Sequence, residues 1–89
     1  MDLGHRLETL LTVAEEIGVD VRAEAMGGDG GGMCRFKGRL VLFVDTSADL
    51  ATRYDRTLTA LAPLPELDDR FLPPEVRDDL DRQREASGG

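Results

Sequence analysis

Leu3, Leu7, Leu10, Leu11, Ala14 and Ile17 recur at three- and four-residue spacing, with Arg6, Glu8, Glu15 and Glu16 filling the opposite face. One apolar stripe against a charged face marks an amphipathic helix, predicted over residues 3–17. Asp2 stands where an N-cap belongs, and Gly18 where a left-handed C-terminal cap belongs. The period then falls to two. Val19, Val21, Ala23 and Ala25 alternate with Asp20, Arg22 and Glu24, the pattern of a half-buried strand. Residues 26–32 make a glycine-dense loop, and a second strand follows over 33–36. Lys37-Gly38-Arg39 reads as a hairpin turn in which Gly38 is free to take positive φ. Leu40, Val41, Leu42, Phe43 and Val44 form a third strand that is apolar on both faces.

Asp45, Thr46 and Ser47 end that strand and offer caps to a second helix, with Thr46 and Asp49 at the spacing of a loose capping box. Leu50, Tyr54, Leu58 and Leu61 give its buried stripe, Asp49, Arg53, Asp55 and Arg56 face outward, and Pro63 and Pro65 stop it. Leu67, Phe71 and Leu72 are apolar points in an irregular link. Pro73-Pro74 opens a short third helix, with Glu75 at its positive end and Val76 and Leu80 as anchors. The predicted order is α-β-β-β-α-α. It describes one two-layer α+β domain over residues 1–80, a small three-stranded sheet packed on helices. From Asp81 the chain reads Asp-Arg-Gln-Arg-Glu-Ala-Ser-Gly-Gly, and residues 81–89 are predicted to be a flexible charged tail.

Eighty-nine residues leave room for a single core that buries about 60–65% of the unfolded surface. Scaffolds of this size often gain further stability from a disulfide, a metal or a partner chain. Cys34 is the only cysteine, which excludes a disulfide framework. His5 and Cys34 are the only soft ligands, too few for a zinc site, so no metal and no other cofactor is expected. That leaves a partner chain: a homodimer, or an unidentified protein partner. Eighteen acidic against eleven basic residues give a net charge of −7. Such a balance disfavours nucleic acid and anionic membrane surfaces as partners. The N-terminal residues carry Asp2, Arg6 and Glu8 and do not read as a signal peptide. The longest apolar run, residues 40–44, is far too short to span a bilayer. A cytoplasmic location is the expectation.

Gly27, Gly28, Gly30, Gly31 and Gly32 could cradle an anion with backbone amides. The loop joins strand to strand, however, and lacks the Gly-Lys-Ser/Thr of a P-loop, while Asp29 has the wrong sign for a phosphate. It reads equally as a mobile connector, or as a place where backbones pass closely. Arg35, Lys37 and Arg39 surround the hairpin and suit an anion or an acidic segment, unless they pair with Asp20 and Glu24 or are simply solvated. Asp45 stands at a strand end, where α/β proteins often place a functional carboxylate, and is also an ordinary helix-entry residue. Gly30, Gly31, Gly32, Arg35, Lys37, Arg39 and Asp45 make up the candidate ligand site, and no catalytic residue is singled out. Cys34 shares a strand face with Phe36 and is expected to be a small buried side chain rather than a redox or disulfide-forming thiol. His5 is expected to be exposed.

The stretch Gly30-Gly31-Gly32-Met33-Cys34-Arg35-Phe36-Lys37-Gly38-Arg39, followed by Val41-Leu42-Phe43-Val44-Asp45, resembles a group of short, uncharacterised bacterial proteins. Those chains also run helix, glycine loop, Cys-Arg strand, Leu-Phe-Val-Asp strand, helix. The resemblance covers most of residues 3–80 and implies the same element order with no assigned activity. Double-stranded-RNA-binding domains share the α-β-β-β-α order but present lysines at the start of the second helix, where this chain has Ser47, Ala48, Asp49 and Leu50. The small metallopeptidase domain of phage-repressor-cleaving proteins places His-Glu-x-x-His on the helix after such strands. Here that helix reads Asp49-Leu50-Ala51-Thr52-Arg53-Tyr54, so peptidase chemistry does not carry over.

The function expected is that of a non-enzymatic protein-interaction module acting as a homodimer. The alternative is a small-ligand or anion-binding protein that uses the glycine loop and the basic hairpin. The dimer expectation rests on Leu40, Val41, Leu42, Phe43 and Val44. A simple meander leaves this strand at an edge, apolar at every position, where a second copy would cover it. If instead the long glycine loop lets the first strand cross to the far side, the third strand is central.

Overall fold

The computed structural model describes residues 1–88; Gly89, the last residue of the expected tail, lies outside them. The elements are α1 (Leu3–Glu16), β1 (Asp20–Glu24), β2 (Gly31–Phe36), β3 (Arg39–Asp45), α2 (Leu50–Leu61), a 3-10 turn (Pro65–Asp69) and α3 (Pro74–Gly88). The α+β class and the element order follow the sequence pattern. Asp2 caps α1 by accepting the His5 amide at 2.8 Å, and Gly18 ends it at φ +95°. Asp49, expected three residues into the capping box, is itself the cap of α2 and accepts the Thr52 amide at 2.8 Å.

The sheet order is β1-β3-β2. β1 runs parallel to β3, and β2 antiparallel to it. The simple meander is therefore not formed. The glycine loop carries the chain across the C-terminal end of β3, so that β3 lies in the middle with both of its backbone edges paired. Edge pairing of a second copy along Leu40 to Val44, one basis for the dimer expectation, is thereby removed.

Residues in register share a face of the sheet. Val21, Leu40, Leu42, Val44 and Met33 lie on the face that meets the helices, and all belong to the apolar core or pack against it. α1 sits over β1 and α2 over β2 and β3, while α3 packs on α1 and α2. Leu10, Leu42, Leu61, Leu67, Val76 and Leu80 are completely buried, each contributing about 1.5–3 kcal/mol of burial. Leu67 and Leu72 anchor the link before α3, whereas Phe71 between them is 83% exposed. The opposite face carries Asp20, Arg22, Glu24, Val41, Phe43, Cys34 and Phe36, and no helix packs on it among the described residues.

The expected tail is a correction. Residues 81–88 continue α3 as helix, because Arg84 reaches back across the end of α2. Its guanidinium donates to Ala62 O at 2.9 Å, Leu64 O at 3.1 Å and Asp68 Oδ1 at 2.6 Å. An arginine that satisfies the last carbonyls of a neighbouring helix gives its own helix a reason to extend. The charge pattern alone reads as solvated.

Candidate functional site

Asp45 is the last residue of β3 and has no exposed surface. The glycine loop crosses directly over it. Its Oδ1 accepts the amides of Met26 at 2.8 Å and Ser47 at 2.9 Å, and its Oδ2 those of Gly28 at 2.6 Å and Gly30 at 3.2 Å. Burial opposes ionisation of this carboxyl, but the four amides outweigh it and hold the pKa down at about 2. The loop thus binds an anion, and the anion is the protein's own. Gly30 and Gly31 are needed at the crossing: both have φ above +90°, a Cβ on Gly31 would stand 2.0 Å from Phe43 O, and one on Gly30 2.4 Å from Arg56 Cγ. The mobile-connector reading gives way to close passage of backbones, and the amides that an external anion would need are occupied.

At the other end of β3 a two-residue turn joins β2 to β3. Lys37 takes φ +51° and Gly38 φ +79°, the conformation that matches the twist of a hairpin. Lys37 Nζ lies 5.4 Å from the centre of the Phe36 ring. The seven residues of β3 place this turn about 20 Å from Asp45. Of the candidate ligand set, the structure therefore brings Gly30, Gly31 and Asp45 together, sets Gly32 and Arg35 along β2, and leaves Lys37 and Arg39 at the far end. The single site expected from the sequence is not formed.

The cations divide sharply. Arg6, Arg22, Arg70, Arg77, Arg82 and Arg84 each meet a carboxylate. Arg35, Lys37, Arg39, Arg53 and Arg56 form no ion pair among the described residues. Pairing of the hairpin cations with Asp20 and Glu24 is ruled out by strand order, since β3 intervenes, and Asp20 bonds Arg22 instead, at 3.0 Å. Arg53 donates to Ala48 O, and Arg56 to Asp29 O in the glycine loop.

Between β2 and α2 runs an open groove of about 440 Å³ lined by Met33, Leu40, Arg56, Ala60, Pro63 and Leu64, with Gly31 and Gly32 at its glycine-loop end. Met33, Leu40, Ala60 and Leu64 are partly buried apolar side chains at the margin of the core. Arg56 is the site residue that sequence reasoning missed. As one more outward charge on α2 it carried no signal, and only the strand order puts β2 beneath it. Cys34 is a second correction: it is exposed on the bare face of the sheet, because no helix covers that face.

A third group of charges belongs to the framework. Asp79 on α3 accepts from Tyr54 Oη at 2.6 Å and Arg6 Nη1 at 2.9 Å, and also pairs with Arg82. It pins the three helices to one another. Burial opposes the charge on Asp79, but Tyr54, Arg6 and Arg82 together hold its pKa below the usual range, while burial and the Asp79 bond push the Tyr54 phenol up. A wider depression of about 670 Å³ lies beside the start of α1 and includes His5, which is exposed as expected. Its polar groups are engaged locally, Asp2 as a cap and Arg53 on Ala48 O. Among the described residues no three His, Cys, Asp or Glu side chains are grouped to hold a metal, and no helix is long and apolar enough to cross a membrane. No protein-family model, curated protein or solved structure matches the chain.

Proposed function

We propose that the chain is a non-enzymatic protein-interaction module of the cytoplasm, and that it pairs with a second copy through the bare face of its sheet. The observation that carries this reading is that one sheet face is packed under helices while the other displays Phe36, 59% exposed, beside half-buried Phe43 and exposed Cys34. Aromatic side chains left in water on a flat surface favour a protein partner. The arrangement also suits self-pairing. A twofold axis along the strands lays β1 of one copy over β2 of the other, which puts Asp20 within about one pleat repeat, roughly 7 Å, of Lys37 and Arg39 of the other copy. Like-charged rows stay apart.

The face is small. Three strands of this length cover about 300 Å² per copy, well under the roughly 800 Å² of a standard interface, so the dimer is weak and concentration-dependent. Sedimentation analysis from tens to hundreds of micromolar tests it. The expected result is a reversible monomer–dimer equilibrium that the double substitution Phe36→Ser/Phe43→Thr shifts to monomer without unfolding the chain. A monomer at every concentration, or a dimer untouched by that substitution, removes the proposal. The small-ligand reading loses its cradle, because the loop amides already hold Asp45.

A further inference from the structure

We propose that the groove between β2 and α2 takes an extended, acidic segment of another protein, added to the sheet as a fourth strand beside β2. This surface is distinct from the bare face and does not depend on self-association.

The backbone supplies the first argument. β2 is an edge strand, paired on one side only. Its two-residue turn makes Phe36 and Arg39 a hydrogen-bonded pair, so by alternation Cys34 and Gly32 also bond to β3. The Gly30 carbonyl continues this alternation by accepting the Asp45 amide at 3.4 Å. The N–H and C=O groups of Met33 and Arg35 therefore point away from the sheet, toward the space a further strand would occupy. Strand addition at such an edge draws affinity from these groups and specificity from alternate side chains.

The groove supplies the second. A strand beside β2 sends every other side chain onto the floor made by Met33, Leu40, Ala60 and Leu64. These are the side chains the core leaves partly uncovered, so an apolar residue of the guest completes their burial. Gly31 and Gly32, at the head of β2, put no side chain in the way of an approaching backbone.

Charge selects the occupant. The protein carries −7 overall, yet the cations without a carboxylate partner border this edge. Arg56 stands at the glycine-loop end of the groove, Arg35 along β2, and Lys37 and Arg39 at the turn. Their spacing matches an extended segment of about five residues with carboxylates at both ends and an apolar middle. The same cations discourage a second β2 from pairing edge to edge.

The test is a selection of displayed random peptides on the full chain. Recovered peptides are then synthesised, titrated by fluorescence polarisation and mapped by backbone amide shifts. Acid-flanked peptides with apolar centres are expected, moving the amides of Met33, Arg35, Ala60 and Leu64. Arg35→Glu/Arg56→Glu should weaken them at least tenfold, roughly the effect of reversing close charges across an interface. Met33→Pro should do the same while keeping the fold, since it removes only an outward N–H. Phe36→Ser/Phe43→Thr, which alters the bare face alone, should leave the affinity unchanged, whatever the fate of the dimer. The proposal is overturned by a selection that enriches nothing, by neutral or basic consensus peptides, by shifts confined to the bare face, or by a second copy of the chain occupying the β2 edge.

Discussion

The two ends of β3 concentrate glycine and charge in opposite ways. At the C-terminal end a single carboxylate meets four amides and disappears from solvent. At the N-terminal end Lys37 and Arg39 flank a tight turn, exposed and without acidic partners among the described residues. Buried polar groups that satisfy one another are framework, because each is costly to leave alone. Exposed charges without partners contribute little to folding and remain free to meet another molecule. The carboxylate at the strand end, which the sequence offers as a binding group, thus holds the crossover in place.

The largest effect should come from the enclosed end. Asp45→Ala removes the acceptor for Met26, Gly28, Gly30 and Ser47 at once, and Asp45→Asn turns a donor-bearing amide toward those same N–H groups. Asp45→Ala is expected to abolish the cooperative urea transition, and Asp45→Asn to lower its midpoint more than any hairpin substitution. The pH dependence has a definite sign. A carboxyl held at about 2 in the fold and near 3.8 when free contributes stability that is complete above about pH 4. That contribution is lost as pH falls through about 2, where the folded form also takes up the proton. Carbon-detected titration should find the Asp45 carboxylate still ionised at pH 3. A midpoint near 4 would mean that the amides do not hold it.

Glycine substitutions grade the crossover next. Gly31→Ala combines φ +95° with a Cβ 2.0 Å from Phe43 O. It should cost at least about 3 kcal/mol, from overpacking against backbone and left-handed strain together. Gly27→Ala, at φ +92° with nothing within 4 Å, should cost only the conformational strain, about 1–2 kcal/mol. Gly32→Ala meets nothing and has ordinary φ, so it should fall within about 0.5 kcal/mol of the parent. Urea denaturation of the three variants reads the order directly. A costly Gly32→Ala would place an unseen contact on the bare face and support a dimer there.

Much of this contrast was legible in the chain, and the missing part has one cause. Periodicity of 3.6 and 2 marked α1, β1 and the stripe of α2 because each buries one face locally. Asp45 was recognisable as a strand-end carboxylate, and the glycine-rich stretch as a loop of close passage. What periodicity does not encode is which strand lies beside which. Once β1 crosses to the far side, β3 becomes central, the hairpin cations lose Asp20 and Glu24 as neighbours, and Arg56 gains the glycine loop. Cys34 was misread for a related reason. Alternation assigns a residue to a face, but a face is buried only if something covers it, and the helices all pack on the other side. The extension of α3 depended on Arg84 finding the carbonyls of Ala62 and Leu64, a contact between residues about 20 apart.

The hairpin itself should respond mildly, and in the favourable direction. Lys37 holds φ +51°, a conformation that asparagine tolerates better than lysine. Lys37→Asn gives up the contact with the Phe36 ring, worth about 0.5 kcal/mol when exposed, and relieves about 1 kcal/mol of left-handed strain. A net gain of about 0.5 kcal/mol is expected in urea denaturation. A loss would mean that the lysine contributes more to the turn than its backbone costs.

The smallest effect is the sharpest test of the comparison. Replacing Arg35, Lys37 and Arg39 together by glutamine removes three exposed cations that make no ion pair among the described residues, so no direct charge contact is lost. Surface changes of this kind usually fall within about 0.5 kcal/mol. One opposing influence is predictable: the net charge goes from −7 to −10, which strengthens the repulsion among the remaining carboxylates. That repulsion is long-ranged and is screened beyond about 8 Å at physiological salt. The triple variant should therefore be slightly less stable than the parent in dilute buffer and nearly indistinguishable from it in 0.15 M salt. A urea midpoint that stays well below the parent's at both salt concentrations would show that the cations take part in folding, and the two ends of β3 would no longer differ in kind. If instead the stability is unchanged while acid-flanked peptides lose their affinity, the five unpaired cations serve the partner and not the fold.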